Sequence, residues 1–200
     1  MNFLKKLFGS KTKSQGQYIR ITLNDKMMPM DRGFVYEDPL NDVLMTYKLG
    51  EVTGGGTLQL KSGEIGYCDL EVFINSENID NVTLGILKDN IEKLGAPKGS
   101  KIVIEKTNKE VEVGKLEGIG IYLDGVNLPD KIYKENDINV VVEELQKLLN
   151  DKSETLRYWE GDEEVGLYFY GESFEHMKEM ISDFVNEHPL CQNVRIEQIA

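Results

Sequence analysis

Apolar and polar residues alternate in short stretches along the chain, and alternation with a period of two is typical of half-buried β-strands. In residues 18–23 the apolar side chains Ile19, Ile21 and Leu23 fall on one side. Residues 57–60 and 67–74 are two further predicted strands, and the turn between them predicts a hairpin. Residues 101–105 are predicted to add a closing strand.

Between these strands the apolar residues recur at helical spacing. Leu40, Leu44 and Tyr47 mark a first helix, for which Asp38 is the expected N-cap and Pro39 the first helical residue. A second helix is marked by residues 84–94 and ends at a glycine. The first half of the chain therefore predicts the order strand, helix, strand, strand, helix, strand.

Gly54–Gly56 follow the first predicted helix and lead into a strand. Phosphate-binding loops run the other way, from a strand through glycines into a helix N-terminus. A phosphate site is therefore not favoured, and the three glycines are interpreted as a tight turn that needs positive φ or a close backbone approach.

The same plan returns about a hundred residues later, where Leu123, Asp124 and Pro129 match Leu23, Asn24 and Pro29. This tandem repeat predicts an α+β fold of two ferredoxin-like (βαββαβ) halves, each an antiparallel sheet with helices on one face. The expected divisions are a flexible basic tail (1–17), a first half (18–106) and a second half (117–200). The short link between the halves predicts that they pack together as one unit.

The charge is unevenly distributed. The first 20 residues hold five of the 23 basic side chains and none of the 35 acidic ones, so the rest carries a net charge of −17. Such a body repels nucleic acid and favours either a basic protein partner or simple solubility. We therefore expect no nucleic-acid partner.

Residues 1–8 place Phe3, Leu4, Leu7 and Phe8 on one helical face. Membrane contact by this segment is an alternative, but a frayed tail is the main expectation. The two cysteines, Cys68 and Cys191, lack the spacing of a disulfide framework or zinc site, which favours a cytoplasmic protein.

No catalytic grouping can be assembled from the sequence. His176 and His188 lie twelve residues apart, too far to share a metal on one helix. The carboxylates Asp69 and Glu71 alternate along a strand, and Asp38 is expected to act as a cap. We therefore predict a protein that is not an enzyme, with no catalytic residue, no metal and no cofactor.

The sheet face of the second half that points away from its helices is rich in residue types that dominate binding interfaces. Its predicted members are Tyr122, Arg157, Trp159, Tyr168, Tyr170 and Arg195. This face is predicted to be either a partner-binding surface or a surface buried against the first half. A nearby hairpin tip carries the expected acidic surface, formed by Glu160, Asp162, Glu163 and Glu164.

Segments such as Glu37-Asp-Pro-Leu, Cys68-Asp-Leu-Glu and Leu94-Gly-Ala-Pro-Lys-Gly-Ser resemble those of small acidic bacterial immunity proteins of polymorphic toxin systems. The resemblance spans residues 18–130 and implies a cytoplasmic binder whose acidic surface meets a basic toxin. The alternative hypothesis is a sensor that binds a small ligand between the two halves.

Overall fold

The computed structural model describes residues 16–151, 153 and 155–200, and they form an α+β structure with two antiparallel sheets. Most of the tail predicted at residues 1–17, including the possible membrane segment 1–8, lies outside the described residues. The first sheet has the strand order β2-β3-β1-β4-β5. Its strands are β1 (Gln17–Leu23), β2 (Gly50–Gln59), β3 (Ile65–Ile74), β4 (Ser100–Ile104) and β5 (Lys109–Val113).

The second sheet has the strand order β7-β8-β6-β9, so its longest strands lie in the middle. Its strands are β6 (Glu117–Asp124), β7 (Arg157–Glu160), β8 (Glu164–Gly171) and β9 (Arg195–Gln198). β5 lies in the segment that the sequence indicated as a short link between the halves, and it pairs with β4 as a fifth strand of the first sheet.

Helices pack on each sheet to form separate apolar cores. The helices of the first half are α1 (Pro29–Arg32), a π-helix (Gly33–Glu37), α2 (Asp38–Thr46) and α3 (Asn81–Lys93). Those of the second half are α4 (Asp130–Glu135), α5 (Ile138–Leu148), α6 (Phe174–Glu187) and a 3-10 turn (Pro189–Cys191). No helix among the described residues combines the length and the apolar character that crossing a membrane requires.

The first helical segment begins earlier than predicted. Pro29, not Pro39, is the first helical residue, and Asp38 lies inside a continuous helical stretch instead of capping it. Pro39 has no N–H to donate, so the regular hydrogen-bond ladder is interrupted near it. A π-helix occupies this region, and the Asp38 N–H donates to the carbonyl of Gly33.

Gly54–Gly56 lie inside β2 and do not form the predicted turn. The register shifts between Val52 and Gly54, which is the mark of a β-bulge. A Cβ on Gly55 would lie 3.0 Å from the Arg32 Nε and 3.1 Å from the Glu37 Oε1, and closer still to the Asp69 carbonyl. Gly55 therefore leaves room for the Arg32–Glu37 ion pair, in which Nε and Oε1 are 2.6 Å apart.

Candidate functional site

The second sheet turns its helix-free face toward the first half. Alternation along β8 directs Leu167 and Phe169 into the helix-covered core. Tyr168 and Tyr122 point to the opposite side, yet only 2% and 4% of their surfaces are exposed. The structure thus has the second of the two predicted arrangements, in which this face is buried within the chain.

An ion pair lies at the centre of the contact between the halves. The Arg157 Nε lies 2.8 Å from the Asp25 Oδ1, and Nη2 lies 3.1 Å from Oδ2. The Tyr36 hydroxyl donates to the same carboxylate at 2.9 Å. Burial opposes the charge on Arg157, but Asp25 outweighs that effect and raises the pKa of the guanidinium. Asp25 is fully buried, so Arg157 and Tyr36 take the place of water as hydrogen-bond partners of its carboxylate.

A second polar cluster surrounds Glu64, in the hairpin between β2 and β3. Its Oε1 accepts hydrogen bonds from Lys26 Nζ at 2.7 Å, the Tyr168 hydroxyl at 2.8 Å and the Tyr122 hydroxyl at 3.1 Å. Burial favours the protonated form of Glu64, but the hydrogen bonds from Lys26 and Tyr168 prevail and lower its pKa. Burial and the Glu64 charge together raise the pKa of Tyr122 to about 12.

The other three predicted partner-binding residues also have partners within the chain. The hydroxyl of the half-buried Tyr170 accepts the backbone N–H of Lys26 at 3.0 Å. Trp159 Nε1 donates to the carbonyl of Ser62 at 3.2 Å. Arg195 pairs with Glu164 and Glu197, and its guanidinium lies 3.8 Å from the centre of the Tyr122 ring.

The prediction of a partner-binding surface on this face is therefore corrected. Its tyrosines, Trp159 and Arg157 form hydrogen bonds with the chain's own first half, whereas Arg195 pairs with carboxylates of its own sheet. Sequence reasoning missed the opposing residues Asp25, Lys26 and Glu64. They lie in loops that read as solvated turns, and no local pattern marks them as buried.

A cavity of about 350 Å³ adjoins the Arg157 ion pair, where the two halves meet. Phe34, Leu94 and Leu116 form part of its apolar wall, while Arg157 and Tyr170 contribute polar groups. The guanidinium of Arg157 is already engaged by Asp25 and Ser153, with Nη1 3.2 Å from the Ser153 Oγ.

A groove crosses the helix side of the second half. It consists of two hollows of about 550 and 300 Å³ that share Ile138 and Val165 in their walls. The floor is apolar, and Ile138 and Tyr158 remain 37% and 47% exposed beside it. Its charged lining residues are Asp124, Lys134, Glu135, Asp137 and Glu160. We call this feature the acidic groove, because four of those five residues are carboxylates.

The predicted acidic surface lies at the same end of the second half. Glu160, Asp162 and Glu163 are exposed at the turn between β7 and β8, and Glu160 also lines the acidic groove. Glu164 differs from the other three, because its carboxylate is paired with Arg195 at 2.7 Å.

The thiols and imidazoles lie apart from these features. Cys68 and Cys191 are both buried and free, and burial raises the pKa of Cys191 to about 11. His176 is exposed, while the His188 Nδ1 accepts the N–H of Leu190. Within the described residues no group of three His, Cys, Asp or Glu side chains is placed to hold a metal ion.

No family model and no curated protein matches the chain. Among solved structures, an unknown protein from Galdieria sulphuraria is 11% identical, with a TM-score of 0.28 over 92% of this chain and 97% of that one. A protein from Bacteroides thetaiotaomicron is 9% identical, with a TM-score of 0.25 over 93% and 96%. The first two RRM domains of the yeast poly(U)-binding protein are 13% identical, with a TM-score of 0.23 over 91% and 99%. Similarity at these TM-scores supports no argument about function.

Proposed function

We propose that this protein is a non-enzymatic binding module whose partner is a basic protein, and that the partner docks in the acidic groove. The groove is the observation that carries the proposal. It offers exposed apolar surface beside Ile138 and Tyr158, with carboxylates around it. A helix or extended segment with an apolar face and flanking Lys or Arg residues complements both features.

The overall charge supports the same class of partner. Residues 21–200 carry a net charge of −17, which attracts a basic protein over a distance and repels nucleic acid. We therefore propose no nucleic-acid partner. Electrostatic steering of this kind makes association fast and sensitive to salt.

A non-catalytic role fits the chemistry of the polar groups. The carboxylates of Asp25 and Glu64 are held by hydrogen bonds within the chain, and their partners are equally occupied. The thiol of Cys191 is buried and remains protonated at neutral pH, which makes it a poor nucleophile. In our proposal these carboxylates and this thiol stabilise the fold and the contact between the halves, and no cofactor is involved.

The proposal also covers the fold of the protein and its location in the cell. We propose two tandem ferredoxin-like halves packed as one unit, supported by the orders β2-β3-β1-β4 and β7-β8-β6-β9, with β5 as an addition. Two buried thiols that form no disulfide fit a cytoplasmic location. The resemblance to immunity proteins suggests that the basic partner is a toxin which this module neutralises.

The docking proposal is tested with a labelled amphipathic peptide of Leu and Lys and a matched peptide of Leu and Glu, using fluorescence anisotropy. We expect the Lys peptide to bind, with affinity falling as salt rises, and the Glu peptide not to bind. Glu160→Lys is expected to weaken binding more than Glu112→Lys, which makes the same charge change on exposed β5 of the first sheet. Equal effects of the two variants, or equal binding of both peptides, would reject the groove as the site.

The immunity role has its own test. If a gene beside this one encodes a basic toxin, co-expression of the two should restore growth of the host. Glu160→Lys should reduce that protection and Glu112→Lys should not. Full protection by both variants would separate the toxin partner from the acidic groove.

The cavity between the halves favours a second candidate, a sensor of a small ligand. Its volume of about 350 Å³ is in the range of small-molecule sites, and apolar walls meet the polar groups of Arg157 and Tyr170 there. A thermal-shift screen of metabolites tests it. A stabilising compound should lose its effect in Leu116→Trp, which fills the cavity, but keep it in Leu60→Trp, at an exposed position in the β2–β3 hairpin.

A further inference from the structure

The N-terminal segment of the chain has the chemistry that complements the acidic groove. Residues 1–15 contain four lysines and no acidic residue, whereas residues 21–200 carry a net charge of −17. Phe3, Leu4, Leu7 and Phe8 recur at helical spacing, so a helix would present all four on one face. The segment therefore combines an apolar face with flanking positive charge.

The spacing of these apolar residues matches the shape of the groove. Residues 3–4 and residues 7–8 form two apolar pairs, which in a helix lie about 6 Å apart along the axis. The groove consists of two adjoining hollows, because Ile138 and Val165 line both of them. Each apolar pair can therefore occupy one hollow.

Two carboxylates of the groove are available to lysine side chains. Asp124 and Asp137 are engaged, since each accepts backbone N–H groups of the residues that follow it. Glu160 is exposed and forms no ion pair within the described residues. Glu135 lies 3.8 Å from Lys131, but both side chains are exposed, and such a pair contributes little.

The path from the segment to the groove favours a groove on another molecule. β1 begins at Gln17, and the loop after its other end contacts the second half through Asp25. That strand spans about 20 Å, and the groove lies on the far side of the second sheet, at least about 10 Å beyond. Residues 9–16 reach about 29 Å when fully extended. Docking within one molecule would need the whole of this reach along a straight path, whereas a second copy has no such limit.

We propose that residues 3–8 of one copy dock in the acidic groove of a second copy. The apolar side chains fill the two hollows, and the lysines pair with Glu160 and Glu135. The protein thereby associates with itself, and a basic partner must displace the segment to bind. This inference rests on the proposed function, because the segment and the partner use the same groove.

A membrane surface is the other target of a basic amphipathic segment. The net charge of −17 on residues 21–200 opposes approach to anionic lipid but favours approach to a basic segment. The groove is therefore the better match. Co-sedimentation of the full chain with vesicles of phosphatidylserine and phosphatidylcholine, combined with a protein that stays monomeric, would overturn the proposal.

Sedimentation velocity of the full chain over a series of concentrations tests the association. We expect self-association that weakens as salt rises. Phe8→Asp should weaken it about tenfold or more, because a buried aromatic side chain is lost. Ser10→Asp is the matched control, since it adds the same charge outside the apolar residues, and it should have a much smaller effect. A parent protein that is monomeric at every concentration, or equal effects of the two variants, would overturn the proposal.

Mixing two variants tests whether the docking joins separate copies. Phe8→Asp keeps an intact groove, and Glu160→Lys keeps an intact segment. Each alone should associate less than the parent, while their equimolar mixture should associate more than either. Glu112→Lys, which makes the same charge change on exposed β5, should behave like the parent. A mixture that associates no more than its components would mean that the segment does not dock between copies.

The peptide of Leu and Lys separates this inference from the proposed function. It should bind Phe8→Asp several-fold more tightly than it binds the concentrated parent, because the groove of the variant is free. Equal binding to both proteins would overturn only the docking of the segment. Binding to neither would reject the groove as a docking site, and both proposals with it. Circular dichroism melts that match the parent establish that each variant is folded.

Discussion

Arg157 of the second sheet and Asp25 of the first half form a bidentate ion pair, with N–O distances of 2.8 and 3.1 Å. The two residues are separated by 132 positions in the chain. Asp25 is fully buried and also accepts a hydrogen bond from Tyr36. The pair therefore fixes how the helix-free face of one sheet sits on the other half.

Breaking this pair should cost much more than breaking an exposed one. We expect Arg157→Met to lower the free energy of unfolding by about 3–5 kcal/mol, because it leaves the Asp25 charge buried without a counter-ion. Arg195→Met, which removes two partly exposed ion pairs and a stacking contact, should cost about 1 kcal/mol. Urea unfolding followed by far-UV circular dichroism measures both. Equal losses would contradict a special role for Arg157.

A double variant separates the cost of the unpaired charge from the cost of lost packing. Asp25→Leu combined with Arg157→Met removes both charges and should be more stable than Arg157→Met alone. If the double variant is the less stable of the two, the cost lies in lost packing and not in the unpaired charge.

Gly55 offers a matched comparison within one strand. We expect Gly55→Ala to destabilise the fold by about 1–3 kcal/mol, because its Cβ would overlap the Asp69 carbonyl and crowd Arg32. Gly56→Ala should stay within about 0.5 kcal/mol of the parent, since a Cβ there meets nothing within 4 Å. Melting temperatures of the two variants give the comparison. A neutral Gly55→Ala would show that the strand can shift to make room.

Local sequence patterns predicted which way side chains point but not what covers them. Alternation along β8 correctly separated Leu167 from Tyr168. The partner of Tyr168, however, is Glu64, which lies 104 residues away in a hairpin turn. No local pattern distinguishes a turn carboxylate that faces solvent from one that faces a second sheet, so the buried contact was only one of two alternatives.

The start of the first helix was missed for a related reason. Pro29 and Pro39 are equally good signals for a first helical residue, and Asp38 before Pro39 favoured the later one. In the structure residues 33–37 are helical, and within this segment Tyr36 is completely buried and donates to Asp25. Tertiary contacts thus decided between two local signals of similar strength.

Tyr170 should matter for its hydroxyl as well as its ring. Tyr170→Phe leaves the Lys26 N–H without its acceptor, so we expect a loss of about 1–3 kcal/mol in unfolding free energy. Tyr158→Phe changes the same group on a side chain that is 47% exposed and should be nearly neutral. Chemical denaturation of both variants tests this, and a neutral Tyr170→Phe would imply that water replaces the hydroxyl.

The two cysteine thiols should be unreactive in the folded protein. Cys68 and Cys191 are buried, and burial raises the pKa of both, for Cys191 to about 11. We expect no reaction with a thiol reagent at neutral pH until the protein is unfolded in guanidinium chloride, when both react. Rapid modification of native protein would mean that one of the two sites opens readily, and Cys68→Ser and Cys191→Ser would identify it.

Glu64 should make the contact between the halves sensitive to acid. Its pKa is lowered in the folded state, where hydrogen bonds from Lys26 and Tyr168 outweigh the effect of burial. A carboxylate with a lowered folded pKa contributes stability that is fully present above its ordinary value of 4.5 and is lost as the pH falls through the lowered value. Glu64→Gln cannot titrate at this position, so we expect the parent's stability advantage over it to be constant near neutral pH and to shrink below about pH 4.5.

The measurement is the difference in unfolding free energy between the two proteins across this pH range. The fluorescence of Trp159, which contacts Ser62 beside Glu64, reports on the contact between the halves. Other carboxylates titrate in both proteins and cancel in the difference. A difference that does not change with pH would show that the charge of Glu64 does not stabilise this contact.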